Sequence, residues 1–161
     1  MIKLVHCTAI KDYNARVRSY TKKGIAELNA NAGGPGIPAS SITPKSQIFT
    51  EDDLYVDVFD KKVALLFVIQ QDESDEVLGF IEVRHEPSPP SMTRIATVWI
   101  RPEFRRKGVA FEALTSMIGL IRIRFRPVNI TIGVASRNIA AYKLYQKLGF
   151  ESYHTVMRIP K

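Results

Sequence analysis

Three consecutive basic residues, at positions 105–107, lie between an apolar segment and an amphipathic one. The apolar residues 98–100 are typical of a buried strand, and Pro102, which has no N–H to donate, should end it. Gly108 stands at a predicted helix start, where a residue without Cβ lets backbone amides approach a ligand closely. Free amides at a helix N-terminus, flanked by cations, favour a phosphate. A solvated basic loop explains these residues equally well when they are taken alone.

A second segment, residues 138–150, combines polar, small and aromatic side chains at helical spacing. At 100° per residue, Asn138, Ala141 and Tyr145 fall within roughly 60° of each other and therefore share one edge of a helix. Leucines occupy the adjoining face, which should be buried. On spacing alone, Tyr145 is better interpreted as an interfacial aromatic with a satisfied hydroxyl than as a catalytic group.

Strands and a helix must position these two segments. Three segments predict a meander of antiparallel strands, because apolar and polar side chains alternate in them or the whole segment is apolar. These segments are residues 63–70, 77–86 and 93–100. Residues 129–134 predict a further strand beside the last of these. Between them, residues 109–125 have helical periodicity. The predicted buried face of that helix consists of Val109, Ala113, Leu114, Met117, Ile118, Ile121 and Phe125.

The N-terminal half predicts a strand, a helical region and a long loop. Residues 2–5 are a short strand candidate, and residues 11–31 are helical in character. Gly24 should break this helix or join two pieces of it. Residues 33–46 are too rich in Gly, Pro, Ser and Thr to be regular. A loop of this length is either functional or a plain surface loop, and both interpretations stay open.

The remaining elements complete a mixed α/β layer fold of the α+β class. Thr50, with an aspartate three residues later, predicts a capping box for a short helix over residues 51–60. Residues 136–148 predict an amphipathic helix, and Gly149 suits a left-handed cap at its end. Residues 150–159 should supply one or two closing strands. The expected element order is βααββββαβαβ.

Composition excludes several classes of protein. The apolar and charged fractions are those of a globular protein, and the 161 residues are expected to form one domain, 1–161. No apolar run reaches the length of a membrane span, and no signal-peptide pattern is present. The single cysteine, Cys7, excludes an internal disulfide and a cysteine-based zinc site, and it favours a reducing, cytoplasmic compartment. P-loop and dinucleotide-binding motifs are absent, and no metal is implied.

The net charge of +7 is concentrated in the C-terminal half. Between Arg101 and Lys147 ten basic residues face only two acidic ones, Glu103 and Glu112. Such an excess indicates a polyanionic partner, either nucleic acid or a phosphorylated cofactor. Coenzyme A, with a pyrophosphate and a 3′-phosphate, would account for part of it.

The two segments together resemble the GNAT (GCN5-related) N-acetyltransferase family. Arg105-x-x-Gly108-x-Ala110, just after a strand, is similar to the acyl-CoA pyrophosphate motif of that family. Residues 138–150, Asn-Ile-Ala-Ala-Tyr-Lys-Leu-Tyr-Gln-Lys-Leu-Gly-Phe, resemble its Asn-x-x-Ala-x-x-Leu-Tyr-x-x-x-Gly-Phe segment. The resemblance covers roughly the C-terminal half, from about Ile95 to Phe150.

The resemblance implies a central mixed sheet with antiparallel N-terminal strands, a splayed parallel pair with a β-bulge, and helices on both faces. It implies acetyl-CoA as cofactor, with the thioester entering between the splayed strands. It also implies that Tyr145 protonates the leaving CoA thiolate, with Tyr142 as a weaker alternative. The implied cofactor-binding residues are Val98, Trp99, Ile100, Arg105, Arg106, Lys107, Gly108, Val109, Ala110, Asn138, Ala141 and Tyr145.

The general base is the point at which this sequence departs from the family pattern. Family members often carry a Glu on the strand before the pyrophosphate loop, whereas residues 93–97 here read Thr-Arg-Ile-Ala-Thr. Glu82 on the preceding strand is the first substitute, followed by His85 and Glu86, although each is more typical of a surface position. A water chain, or an acceptor amine of lower pKa, would also supply the missing step.

The acceptor is expected to be an amine of a small molecule, a peptide or a protein. The loop at 33–46 would form a flap on the acceptor side. Asp52, Asp53, Asp57 and Asp60 could make that side locally acidic. The alternative is a GNAT-like basic module that has lost catalysis and binds nucleic acid or protein, for which residues 122–126, Arg-Ile-Arg-Phe-Arg, are suited. No membrane partner is expected, nucleic acid is the less favoured partner, and the fold is compatible with a homodimer.

Overall fold

The computed structural model describes residues 1–32, 36, 38–39, 48–153, 155 and 157. The strands within these residues are β1 (Ile2–His6), β2 (Leu65–Gln71), β3 (Val77–Glu86), β4 (Met92–Ile100) and β5 (Asn129–Ile132). The helices are α1 (Ala15–Ala30), α2 (Glu51–Tyr55, extended by a π-helical turn over Val56–Asp60), α3 (Val109–Arg124) and α4 (Ile139–Lys147). Short 3-10 turns occupy Ile10–Asp12 and Pro102–Phe104.

The five strands form one mixed sheet in the order β1-β2-β3-β4-β5. All neighbours are antiparallel except β4 and β5, which are parallel. The parallel pairing runs only from Met92↔Asn129 to Ile95↔Ile132. Strand β4 continues to Ile100, but within the described part of the chain no strand pairs with it on that side beyond Ile95, so the two strands separate. The predicted fold class and the splayed parallel pair are confirmed.

Strand β3 is buried on both faces because helices cover the sheet from two sides. Phe80 and Trp99 pack against α1 and α2 in one core cluster. Ile81 and Val83 pack against α3 in a second cluster, together with Leu114, Met117 and Ile121. The alternation of side chains along β3 therefore divides the core into two layers, and the predicted buried face of α3 is confirmed.

The prediction that Gly24 interrupts the first helix is wrong. Gly24 lies buried within a continuous α1. A Cβ at this position would come within 2.5 Å of Phe80 Cε1 and 2.7 Å of Trp99 Cδ2. The glycine therefore allows the helix to approach the sheet closely. Helix α1 begins at Ala15 rather than near Lys11 because the Asn14 side chain caps it, accepting hydrogen bonds from the amides of residues 16 and 17.

Other boundaries follow from local capping. Thr50 and Asp53 form the predicted capping box at α2. Helix α4 begins at Ile139, not at 136, because Asn138 is its N-cap, and Gly149 adopts the expected left-handed conformation (φ 90°). Three strands separate α2 from α3, as the segments 63–70, 77–86 and 93–100 predicted, one fewer than in the expected element order. Strand β5 ends at Ile132, two residues before the predicted end, because its pairing with β4 stops there.

Two predicted segments lie largely outside the described residues. The proposed acceptor-side flap at 33–46 is one of them. The closing strands at 150–159 are the other, and residues 150–153 are not in a strand. Among the described residues, no helix is both long and apolar enough to cross a lipid bilayer.

Candidate functional site

A cavity of about 1390 Å³ opens where β4 and β5 separate. Its walls come from the end of α1, from β3 and β4, from the β4–α3 loop, from residues 132–135 and from α4. Glu82 and all the predicted cofactor-binding residues except Lys107 line it: Val98, Trp99, Ile100, Arg105, Arg106, Gly108, Val109, Ala110, Asn138, Ala141 and Tyr145. Two segments that are far apart in the chain therefore meet at one cleft.

A β-bulge in β4 marks the point of separation. Glu82 pairs with Thr97 and Val83 pairs with Ile95, which leaves Ala96 as an extra residue on β4. The bulge follows directly on Ile95, the last residue of β4 that pairs with β5. Bulges bend a strand and disrupt the ladder locally, so the bulge accounts for the divergence of the two strands. The β-bulge predicted from the family resemblance is confirmed.

The backbone of β4 beyond the bulge offers hydrogen-bonding groups to the gap. The Arg101 amide donates to the Leu78 carbonyl of β3 at 2.8 Å. Because alternate residues of a strand bond to the same neighbour, the amides of Val98 and Ile100 point away from β3, towards the gap. The Ile100 carbonyl on that side already accepts a hydrogen bond from Arg105 Nε at 2.8 Å. The Val98 backbone and the Ile100 amide thus face the cavity.

The β4–α3 loop brings a helix N-terminus to the cavity. Arg106 and Gly108 both have positive φ angles, 62° and 83°, and they turn the chain into α3. A Cβ at Gly108 would meet no atom within 4 Å, so the space above the loop is open. The Glu112 amide makes the first bond of the helix, to the Gly108 carbonyl. The amides before it have no partner within the helix, which makes this end of α3 suited to an anion.

The basic side chains of this loop are not equivalent. Arg105 forms an ion pair with Glu27 of α1 at 2.7 Å, so its charge is already paired. Lys107 lies over the ring of Phe104 and does not line the cavity. Arg106 is exposed and does line it. Arg106 is therefore the loop cation best placed to meet a ligand anion.

Glu27 links helix α1 to strand β4 and to the β4–α3 loop. Its carboxylate accepts a hydrogen bond from Trp99 Nε1 at 2.9 Å and binds the Arg105 guanidinium. Trp99 and Arg105 flank the open end of β4. Sequence reasoning did not identify Glu27, because a glutamate in an amphipathic helix carries no signal of a partner 72 residues away.

Tyr145 lies in the cavity wall on the α3 side of the sheet. Its ring packs edge-on against Phe150, with centroids 6.1 Å apart. Burial raises the pKa of the Tyr145 hydroxyl, so the group holds its proton at neutral pH. Tyr142, the weaker alternative, lies outside the cavity wall, and its hydroxyl contacts Ser152. The Asn138 side chain accepts a hydrogen bond from the Ala141 amide at 3.2 Å, so it secures the start of α4.

Glu82 is a buried residue, not the surface residue that its sequence position suggested. Its side chain is 2% exposed. One carboxylate oxygen accepts a hydrogen bond from Arg84 Nε and the other from the Thr97 hydroxyl, each at 2.7 Å. The reason is tertiary, because α1 and α2 cover the face of β3 that carries Glu82. Of the other two candidates, His85 is stacked on Phe125 and Glu86 is exposed.

Arg84 joins Glu82 to Asp57, and all three residues line the cavity. Arg84 Nη2 lies 2.7 Å from an oxygen of each carboxylate. Burial acts to raise the pKa of Asp57, but Arg84 and Lys61 outweigh it and hold this pKa below its ordinary value. Burial likewise opposes the charge of Arg84, yet the two carboxylates raise its pKa. Of the four aspartates expected at the acceptor side, Asp57 alone lines this cavity.

Known proteins share this architecture. A model of the acetyltransferase (GNAT) family matches residues 39–150. A Bacillus subtilis protein provisionally assigned as an acetyltransferase is 21% identical, with a TM-score of 0.69 and 99% of each chain covered. A Trypanosoma brucei acetyltransferase is 13% identical, with a TM-score of 0.64 and 100% of each chain covered.

A ribosomal-protein-alanine N-acetyltransferase from Brucella melitensis is 15% identical, with a TM-score of 0.61, and the match covers 100% of this chain and 99% of that one. No curated protein sequence matches this chain significantly. The structural likenesses, at these identities, establish the fold. The family model spans the bulged strand, the β4–α3 loop and α4, and the chain therefore belongs to the acetyltransferase (GNAT) family.

Proposed function

We propose that this protein transfers an acetyl group from acetyl-CoA directly to a primary amine within a ternary complex. The observation that carries the proposal is the gap between β4 and β5, into which the Val98 backbone and the Ile100 amide point. An extended ligand arm can bond there as an additional strand would. The gap leads to the α3 N-terminus at one end and to Tyr145 and Glu82 in its walls.

The residues present fit coenzyme A. The open space at Gly108 and the amides at the start of α3 suit the pyrophosphate, with Arg106 as the nearby cation. The small side chain of Ala141 leaves room beside α4 for the extended arm of the cofactor. Acetyl-CoA supplies the acyl group as a thioester. The Val98 amide is placed to donate a hydrogen bond to the carbonyl oxygen and thereby stabilise negative charge on it.

Tyr145 and the Glu82 network serve the two proton transfers of the reaction. Tyr145 keeps its proton at neutral pH because burial raises its pKa, and it donates that proton to the departing thiolate. Glu82 receives a proton from the acceptor amine, which is mostly charged in solution. The two groups belong to opposite faces of the sheet, so the acceptor approaches from the α1 and α2 side.

The acceptor is proposed to be an amine of a small molecule, a peptide or a protein. The acceptor side of the cavity contains Asp57, Glu82 and Arg84, a mixture of charges rather than an acidic pocket. Such a surface favours neither polyamines nor polyanions. The alternative, a basic module that binds nucleic acid, requires Phe125 to be available for stacking on a base. Phe125 instead stacks on His85, with ring centroids 4.4 Å apart, and packs against the core.

Thermal unfolding with and without acetyl-CoA tests the cofactor site. Acetyl-CoA at about 100 times its Kd should stabilise the protein by about 2.7 kcal/mol. For a chain of this size that is about 5–10 °C in Tm. Gly108→Glu places bulk and negative charge where the pyrophosphate is expected, and it should abolish the shift.

Gly108→Ala is the matched control, because both variants pay the cost of a Cβ at positive φ. We expect Gly108→Ala to keep most of the shift. Loss of the shift in both variants would mean that backbone strain, not ligand exclusion, is responsible. Absence of any shift in the wild-type protein at saturating acetyl-CoA would refute the proposed function and favour the binding-module alternative.

A further inference from the structure

Thr97 lines the cavity beside Glu82 and is hydrogen-bonded to it. The Glu82 carboxylate is 2% exposed, and both of its oxygens already accept hydrogen bonds, from Arg84 and from Thr97. Thr97 is half-buried and lines the cavity. Its hydroxyl donates to Glu82, and the lone pairs of its oxygen can accept a proton from a second group. Because Thr97 is the more exposed of the two and both Glu82 oxygens have partners, the Thr97 oxygen is the more accessible acceptor for an amine in the cavity.

We propose that Thr97 is a further catalytic residue, which relays a proton from the acceptor amine to Glu82. This inference rests on the proposed acetyl transfer. One N–H bond of the ammonium group breaks and a new O–H bond forms at Thr97. The original hydroxyl proton of Thr97 passes to Glu82 along the 2.7 Å hydrogen bond. The amine keeps the electron pair with which it attacks, and protonated Glu82 returns the proton to solvent by the same route after the product leaves. A second N–H bond breaks when the amide forms, and this proton replaces, through solvent, the one that Tyr145 gives to the thiolate.

The charges around Glu82 are compatible with this role. Arg84 is divided between two carboxylates, because Nη2 lies equally close to Asp57 and Glu82. Asp57 has a lowered pKa and stays ionised, so it retains its share of the guanidinium charge. Lys61, which is exposed, also pairs with Asp57 at 3.4 Å. Glu82 thus shares Arg84 with a second carboxylate, and its other oxygen faces the Thr97 hydroxyl.

The position of Thr97 in the sheet separates the two proton transfers. Thr97 is paired with Glu82 across β3 and β4, and both side chains lie on the face covered by α1 and α2. Tyr145 packs into the core cluster on the opposite face. The adjacent residue, Val98, offers its backbone to the gap. The nucleophile thus loses its proton on one side of the thioester position, and the leaving group gains one on the other.

Two amines of similar size but different basicity test the relay. Ethylamine is protonated at neutral pH and needs the relay, whereas 2,2,2-trifluoroethylamine is already a free base. Release of the CoA thiol from acetyl-CoA is followed with each amine for wild type, Thr97→Val and Thr97→Ser. Thr97→Val should lower kcat/KM for ethylamine by about 100-fold and affect trifluoroethylamine far less. Thr97→Ser, which keeps the hydroxyl, should remain close to wild type.

Glu82→Gln should show the same selective loss, and the double variant Thr97→Val with Glu82→Gln should lose no more than either single variant, because the two groups act as one unit. An equal loss for both amines in Thr97→Val would assign Thr97 a structural role and overturn the relay. Unchanged ethylamine turnover would also overturn it. If the wild type gains thermal stability from acetyl-CoA but turns over neither amine, the transfer reaction fails and the relay fails with it.

Discussion

Replacement of Gly24 by alanine tests the close packing of α1 on the sheet. The added Cβ would lie 2.5 Å from Phe80 Cε1 and 2.7 Å from Trp99 Cδ2, whereas carbon atoms in contact stay about 3.5–4 Å apart. A displacement of about 1 Å is therefore required. The rings cannot yield easily, because Phe80 and Trp99 are 2% and 5% exposed and the indole N–H is bonded to Glu27.

The expected cost combines two opposing effects. Overpacking of a dense core costs about 1–3 kcal/mol, and two buried rings place this site at the upper end. Alanine recovers about 1 kcal/mol relative to glycine in a helix interior. The net expectation is a loss of about 2 kcal/mol in the free energy of unfolding. For a chain of this length it corresponds to a fall of about 4–8 °C in Tm.

Urea unfolding of Gly24→Ala and Gly119→Ala measures this effect with an internal control. Gly119 lies within α3, and a Cβ there would meet no atom within 4 Å. Gly119→Ala should therefore stabilise the protein by up to about 1 kcal/mol through helix propensity alone. Equal stabilisation by both substitutions would refute the inferred close contact between α1 and the β3–β4 pair.

Three further predictions concern the site. Glu27→Ala should lower the free energy of unfolding by about 1–3 kcal/mol, because it leaves the buried Trp99 N–H without an acceptor. Glu27→Gln keeps an acceptor and should cost less than about 1 kcal/mol. Urea unfolding measures both variants, and equal losses would contradict the role of the hydrogen bond from the indole. Tyr145→Phe should lower kcat by about 100-fold without changing the acetyl-CoA-induced Tm shift. Since burial raises the pKa of Tyr145, wild-type kcat should persist through about pH 10 in a pH–rate profile, and an alkaline loss centred below that value would exclude Tyr145 as the acid.

Local patterns identified the parts of the site that are made by the backbone. Gly108 is predicted at a helix start because a residue without Cβ lets backbone amides approach a ligand, and in the structure it is the N-cap of α3 with a positive φ. The alternation of β3 and the edge shared by Asn138, Ala141 and Tyr145 were likewise predicted. These features depend on residues a few positions apart, and so a single stretch of sequence contains their cause.

The burial of Glu82 and the function of Gly24 could not be read in the same way. The alternation of β3 places Glu82 and Arg84 on one face, but whether that face meets water depends on α1 and α2. A glycine in a helical stretch predicts a break unless the surface it packs against is known. Both errors arise because exposure is a property of the assembled layers and not of the local chain.

The sequence by itself determined the family and the fold class, and it identified the helix start and the tyrosine that are proposed to bind an anion and to act as the acid, because these depend on motifs and periodicities that can be read along the chain. The tertiary structure alone decided which charges are paired. Glu27 meets Trp99 and Arg105 across more than 70 residues, and Asp57 meets Arg84 across 27. Such pairs form because the layers bring distant side chains together in a cavity wall; the Glu27–Arg105 pair is partly exposed, whereas Asp57 is more buried, and there an unpaired charge would be costly.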